Sequence, residues 1–192
     1  MRWAFAYKGV DADYVDVDLL SGQSESAEHR ARNPLGFVPA LEIGPGQYLA
    51  ESLAIIEWLE ETVPRPFLLP GDPLKRARIR QLAEMINADT QPLQNLNAQD
   101  LHSDDPAKRK AWAVHWIVTG LEAYEKIAST TAGKFSVGDE LSVADLCLVP
   151  QCYNALRNEI DLARFPTIKR IHDHALTTPS ALASHPDRFK PA

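Results

Sequence analysis

Cysteine is scarce, with 2 in 192 residues. Cys147 and Cys152 share one apolar segment and have no Cys or His at zinc-like spacing. They read as reduced core thiols of a cytosolic protein, not as metal ligands or a disulfide framework. A positive balance of charge is missing as well: 20 Lys and Arg face 26 Asp and Glu, for a formal charge of −6 and a pI near 5.5. That balance argues against a general hold on nucleic acid or on an anionic membrane surface. No apolar run approaches the length of a membrane span, and the opening Met1-Arg2-Trp3-Ala4-Phe5-Ala6-Tyr7-Lys8-Gly9 has no small-residue cleavage site, so it does not read as a signal peptide. Strand signals are absent from Leu74 onward. What is present is ordinary globular composition, 45% hydrophobic and 24% charged, in a length that suits one large domain or two small ones.

Local patterns divide the chain. Arg2 to Lys8 has helical character and stops at Gly9, a helix-ending residue. Tyr14-Val15-Asp16-Val17-Asp18-Leu19 alternates as a strand, and Ser24 to Arg32 reads as a short helix or turn closed by Asn33-Pro34. Leu41 and Ile43 alternate with Glu42 before the turn Gly44-Pro45-Gly46, and Tyr48-Leu49 resume the apolar run, a hairpin that feeds a helix over Leu53 to Glu61. Breakers then crowd Val63-Pro64-Arg65-Pro66 and Leu69-Pro70-Gly71-Asp72-Pro73, which sets domains at 1–66 and 72–192. Beyond them the spacing is helical. Ile79, Leu82, Ala83 and Ile86 form an apolar stripe, Asp105-Pro106 opens a second long helix, and Ser142-Val143-Ala144-Asp145 has the form of a capping box before a buried helix.

The pieces with chemical character lie around the hairpin. Pro39 opens the first strand and cannot donate a ladder hydrogen bond, which leaves the Val38 backbone free to pair with an extended ligand. Glu51-Ser52 precedes the helix, where free amides and a hydroxyl suit a carboxylate and the Glu51 carboxylate suits an ammonium. The doublet can grip an α-amino acid head group, such as the γ-glutamyl end of glutathione. Taken singly, Glu-Ser is more often a plain helix start, and Val-Pro is common in loops. A metal site on His115, His172 and His174 is a weak reading, because residues two apart lie on different helix faces.

In this order the motifs resemble the zeta class of glutathione transferases, the class containing the maleylacetoacetate isomerases, from Arg2 to Ser184-His185-Pro186. Glu51 to Glu61 is similar to the family's glutathione-binding helix, Gln91-Pro92-Leu93-Gln94-Asn95-Leu96 to its second-domain signature, and Val137-Gly138-Asp139 through Asp145 to Gln151 to its C-terminal helix. The resemblance implies a thioredoxin-like α/β domain, its first strand missing, followed by an all-α domain. It further implies a cytoplasmic homodimer, glutathione as cofactor and a small acidic substrate. Val38 would pair with the cysteinyl part of glutathione, Pro39 would be a cis proline, and Glu51 and Ser52 would hold the γ-glutamyl group. The family most often has glutamine where this chain has Glu51. Gln91 and Asn95 would line the glutathione site, with helix capping or interface filling as equal alternatives. Arg157 would hold a substrate carboxylate, with a solvated surface position as its alternative.

The family's first strand and its Ser-Ser-Cys-type turn, which activates the thiol, would lie before Arg2, and no residue here matches them. The catalytic residue is therefore unassigned, and the first domain is expected to be strained or rearranged. The implied activity is glutathione-dependent cis–trans isomerisation of maleylacetoacetate to fumarylacetoacetate, a step in tyrosine and phenylalanine degradation. Maleylpyruvate isomerisation and a non-catalytic binding role are the alternatives.

Overall fold

The computed structural model describes residues 1–189. It divides into two units, Met1–Phe67 and a second beginning at Leu68. In the first, α1 (Arg2–Lys8) buries Trp3, Ala4 and Phe5 and ends at Gly9, whose left-handed φ of 65° lets its amide turn back to the Phe5 carbonyl. A 3-10 turn (Gln23–Glu25) and α2 (Ala27–Arg32) follow. Strands β1 (Ala40–Gly44) and β2 (Gln47–Ala50) pair antiparallel, and α3 (Ser52–Thr62) buries Ile55, Ile56 and Leu59. Packing of β2 against both α2 and α3 gives the ribbon its support.

Lys8 ties the two ends of this unit together. Its fully buried ammonium donates to the Val63 carbonyl at 2.5 Å and the Pro66 carbonyl at 3.0 Å, and pairs with Glu60 at 2.8 Å. A buried ammonium is tolerated only when its donors are all used, so α1 is locked to the C-terminal end of α3.

One expected element is absent. Tyr14 to Leu19 alternates as a strand should, yet it has no strand structure, and Val15 is 74% exposed. Alternation describes a side-chain pattern, whereas a strand also needs a neighbour to pair with. Among the described residues the only sheet is β1–β2. Asp18 instead closes a local turn by accepting from the amides of Leu20 and Ser21 at 2.9 and 3.2 Å, bonds that also hold its carboxyl below the usual range.

The second unit is helical. Its helices are α4 (Pro73–Asn87), the short α5 (Gln91–Gln94) and α6 (Leu96–His102), then α7 (Pro106–Thr131) and α8 (Val143–Arg157), followed by α9 (Pro166–Ala175) and α10 (Pro179–Ala183). Starts are set by local chemistry: Asp72 and Asp105 each cap a helix whose first residue is proline. Ile79, Leu82, Ala83 and Ile86 bury the inner face of α4, which packs on α8. Leu68 and Leu69 are buried in this unit, and the Leu68 carbonyl accepts from the Val143 amide.

The start of α8 is the polar centre of this core. Asp145, fully buried, closes the capping box by accepting from the Ser142 amide and hydroxyl, both at 2.9 Å. Its other oxygen accepts from the Ser136 amide at 2.8 Å and hydroxyl at 2.6 Å. Tyr124 donates to the Ser136 hydroxyl at 2.8 Å. Burial raises the Asp145 carboxyl despite those four bonds, and raises the Tyr124 phenol well above its usual value.

Replacing Lys8 by methionine removes one partner of a buried pair and orphans two carbonyls. We expect a loss of about 3 kcal/mol in urea-unfolding free energy, and an unchanged midpoint would contradict the locking role.

Candidate functional site

The site in the first unit is built from the hairpin outward. In the ladder Ala40 pairs with Ala50 and Leu41 with Leu49. Pro39 therefore enters β1 directly across from where Glu51 leaves β2, and Val38-Pro39 and Glu51-Ser52 stand at the same end of the ribbon. The Val38–Pro39 peptide is cis.

Two buried side chains aim the segment before Val38. His29 Nε2 and Asn33 Nδ2 both donate to the Phe37 carbonyl at 2.9 Å, which requires the His29 tautomer with its proton on Nε2. His29 is in turn placed by Ser26, whose hydroxyl caps α2 by accepting from the His29 amide. Val38 itself is 44% exposed, and neither its amide nor its carbonyl has a hydrogen-bond partner among the described residues. An exposed, unpaired backbone beside a strand end is the surface that an extended peptide adds to.

Glu51 turns the chain from β2 into α3 with φ 66° and ψ 116°. A non-glycine residue with positive φ carries about 1–2 kcal/mol of strain, which persists where the site requires that geometry. The exposed Glu51 carboxylate has no partner among the described residues, and α3 starts at Ser52 without a side-chain cap. One acceptor for an ammonium and a group of donors for a carboxylate thus lie side by side.

The second unit holds the other predicted residues. Gln91 opens α5 and Asn95 joins α5 to α6. Their side-chain amides make no hydrogen bond among the described residues, so neither caps a helix there. Arg157 closes α8, with its guanidinium exposed and unpaired among the described residues. The cysteines do no comparable work: burial pushes the Cys147 thiol up to about 12 and the Cys152 thiol still higher. The histidines weighed for a metal pack elsewhere, His115 against Trp116, His172 beside Asp173 and His174 against Phe135.

Sequence reading missed His29 and Asn33, whose role depends on where a carbonyl eight and four residues away ends up. The Asn33-Pro34 turn was the one local sign. Gln94 and Gln151 were also missed, and they bond to each other from 57 residues apart.

Two outcomes follow from this geometry. Glu51→Gly removes the strain, so it is expected to unfold about 1 kcal/mol later than Glu51→Ala in urea; equal stabilities would contradict the strained backbone. At neutral pH the buried Cys152 thiol of the folded chain should react with a disulfide reagent about a thousandfold more slowly than free cysteine, and rapid labelling of Cys152 would contradict its burial.

Comparison with known proteins identifies the family. Residues 1–67 match the model of the glutathione S-transferase N-terminal domain, and residues 91–183 match that of the C-terminal domain. A probable maleylacetoacetate isomerase 1 of Drosophila melanogaster is 46% identical over 189 residues, 97% of this chain and 76% of the fly protein. The crystal structure of a maleylacetoacetate isomerase from Methylobacterium extorquens AM1, with malonate and GSH bound, superposes with a TM-score of 0.94 at 36% identity, covering 100% of this chain and 93% of that one. A bacterial maleyl pyruvate isomerase described as a zeta-class glutathione S-transferase superposes at 0.92 and 36% identity, covering 96% and 90%. With both domain models matched in order and relatives aligned along nearly its whole length, the chain belongs to the glutathione S-transferase family, in its zeta class.

Proposed function

We propose that this protein catalyses the glutathione-dependent cis–trans isomerisation of maleylacetoacetate to fumarylacetoacetate. The observation that carries the reading is the Ala40–Ala50 register, which sets the free Val38 backbone next to Glu51-Ser52. A γ-glutamyl-cysteinyl peptide has a backbone to pair and an amino acid head to grip, and the residues present fit both. When bound, glutathione supplies a thiolate that adds to the cis double bond and leaves after rotation, so it is regenerated.

The chain's own residues account for binding and orientation. Val38 pairs with the cysteinyl backbone, Glu51 accepts from the γ-glutamyl ammonium, and Ser52 with the α3 amides takes its carboxylate. Gln91 and Asn95 donate or accept with side-chain amides that make no hydrogen bond among the described residues. Arg157 presents a planar fork to a substrate carboxylate and offsets the charge that builds on the β-diketo acid. The residue that activates the thiol is unassigned. No helix among the described residues is long and apolar enough to cross a membrane, and we place the working protein in the cytosol as a homodimer.

Maleylpyruvate is the second substrate to test, because the maleyl pyruvate isomerase superposes at 0.92 against 0.94 for the maleylacetoacetate isomerase, with the same 36% identity. Both acids carry the carboxylate that Arg157 would hold. Assay with each acid, with and without glutathione, separates the readings. We expect turnover that requires glutathione, and higher turnover when a strand and Ser-Ser-Cys turn are fused ahead of Arg2. Arg157→Leu should lower kcat/KM about a hundredfold while glutathione affinity is unchanged. Tight glutathione binding without turnover in either form would favour a ligand-holding protein.

A further inference from the structure

The turn that carries Gln91 and Asn95 does not hold itself. With four residues, α5 is far below the length at which a helix is stable in water. Its shape comes from buried contacts on α7 and α8. Trp112 Nε1 donates to the Leu93 carbonyl at 2.6 Å. Gly120 lets α7 approach so closely that a Cβ there would lie 2.0 Å from Thr90 Oγ1. Gln94, 5% exposed, and Gln151, 1% exposed, exchange two amide bonds: Gln94 Nε2 donates to Gln151 Oε1 at 2.7 Å, and Gln151 Nε2 donates to Gln94 Oε1 at 2.9 Å. The Gln94 carbonyl also accepts from Gln99 Nε2 at 2.6 Å, which ties α5 to α6.

This reciprocal pair differs from an apolar contact in one respect. Two leucines slide past each other at little cost, whereas two buried amides satisfy each other in a single alignment. Any shift of α5 along α8 strands a donor and an acceptor away from water. Gln91 precedes Gln94 by three residues and Asn95 follows it directly, so the alignment of Gln94 determines where both unpaired amides are presented.

We propose that the Gln94–Gln151 pair is a positioning device for the ligand-binding turn: Gln151, through Gln94, sets glutathione affinity without touching glutathione. The inference rests on the reading of Gln91 and Asn95 as glutathione contacts.

Gln151→Glu is the informative variant. Its protonated carboxyl has the shape of the amide, accepts from Gln94 Nε2 and donates its O–H to Gln94 Oε1, so both bonds survive. Once ionised it only accepts, and one bond becomes an oxygen–oxygen repulsion. Glutathione Kd is measured by titration calorimetry at pH about 5 and about 8, beside the unaltered protein at each pH. The expected result is a Kd near that of the unaltered protein at the lower pH and about tenfold weaker at the higher one. In case ionisation unfolds this variant, the double variant Gln94→Leu with Gln151→Leu fills the same space without stranding a polar group. Its Kd should also rise about tenfold with little change in melting temperature.

A Kd equal to that of the unaltered protein in the folded double variant, with only the melting temperature moved, would reduce the pair to a packing role and overturn the proposal. Ser52→Ala separates this from failure of the underlying reading. If Ser52→Ala weakens binding and the Gln151 variants do not, only the positioning role falls. If the unaltered protein does not bind glutathione, the functional reading falls first.

Discussion

The pairing of Ala40 with Ala50 is the constraint on which the site depends. A strand register moves whole segments: a slip by one residue would reverse the faces of β1 and carry Val38 away from Glu51. With the observed register, the Val38 backbone, unpaired among the described residues, and the Glu51-Ser52 pair lie at one end of a two-stranded ribbon. The surroundings serve that placement. His29 and Asn33 hold the carbonyl that precedes Val38, and the strained Glu51 makes the abrupt turn from strand to helix.

Each unit keeps its frame with a buried polar group whose bonds are fully used. Lys8 joins α1 to the end of α3 with three oxygen partners, and Asp145 joins the start of α8 to Ser136 with four donors. Such groups add less net stability than their bond count suggests, because desolvation offsets much of it. Their contribution is to alignment, since few other arrangements satisfy them. Gln94 and Gln151 follow the same logic at smaller scale.

What was legible in the sequence was local. The capping box of Ser142 and Asp145 spans three residues and obeys a rule of helix starts, so it could be read directly. The hairpin announced itself through Gly44-Pro45-Gly46, and the α4 stripe through its period. Tyr14 to Leu19 misled because alternation carries no information about whether a partner strand is present. The clamp on the Phe37 carbonyl and the Gln94–Gln151 pair were illegible for a related reason: an amide or imidazole in a string of residues does not reveal which distant group it will meet. The resemblance to a family supplied roles for Gln91, Asn95 and Arg157 that their local sequence alone left open.

The most direct measurement is an amide chemical-shift titration of the isotopically labelled protein with glutathione. If the register brings the two ends of one ligand together, the Val38 and Ser52 amides shift on the same saturation curve, with a shared midpoint. Separate midpoints, or movement of only one of the two amides, would show that they do not serve a single ligand and would contradict the account.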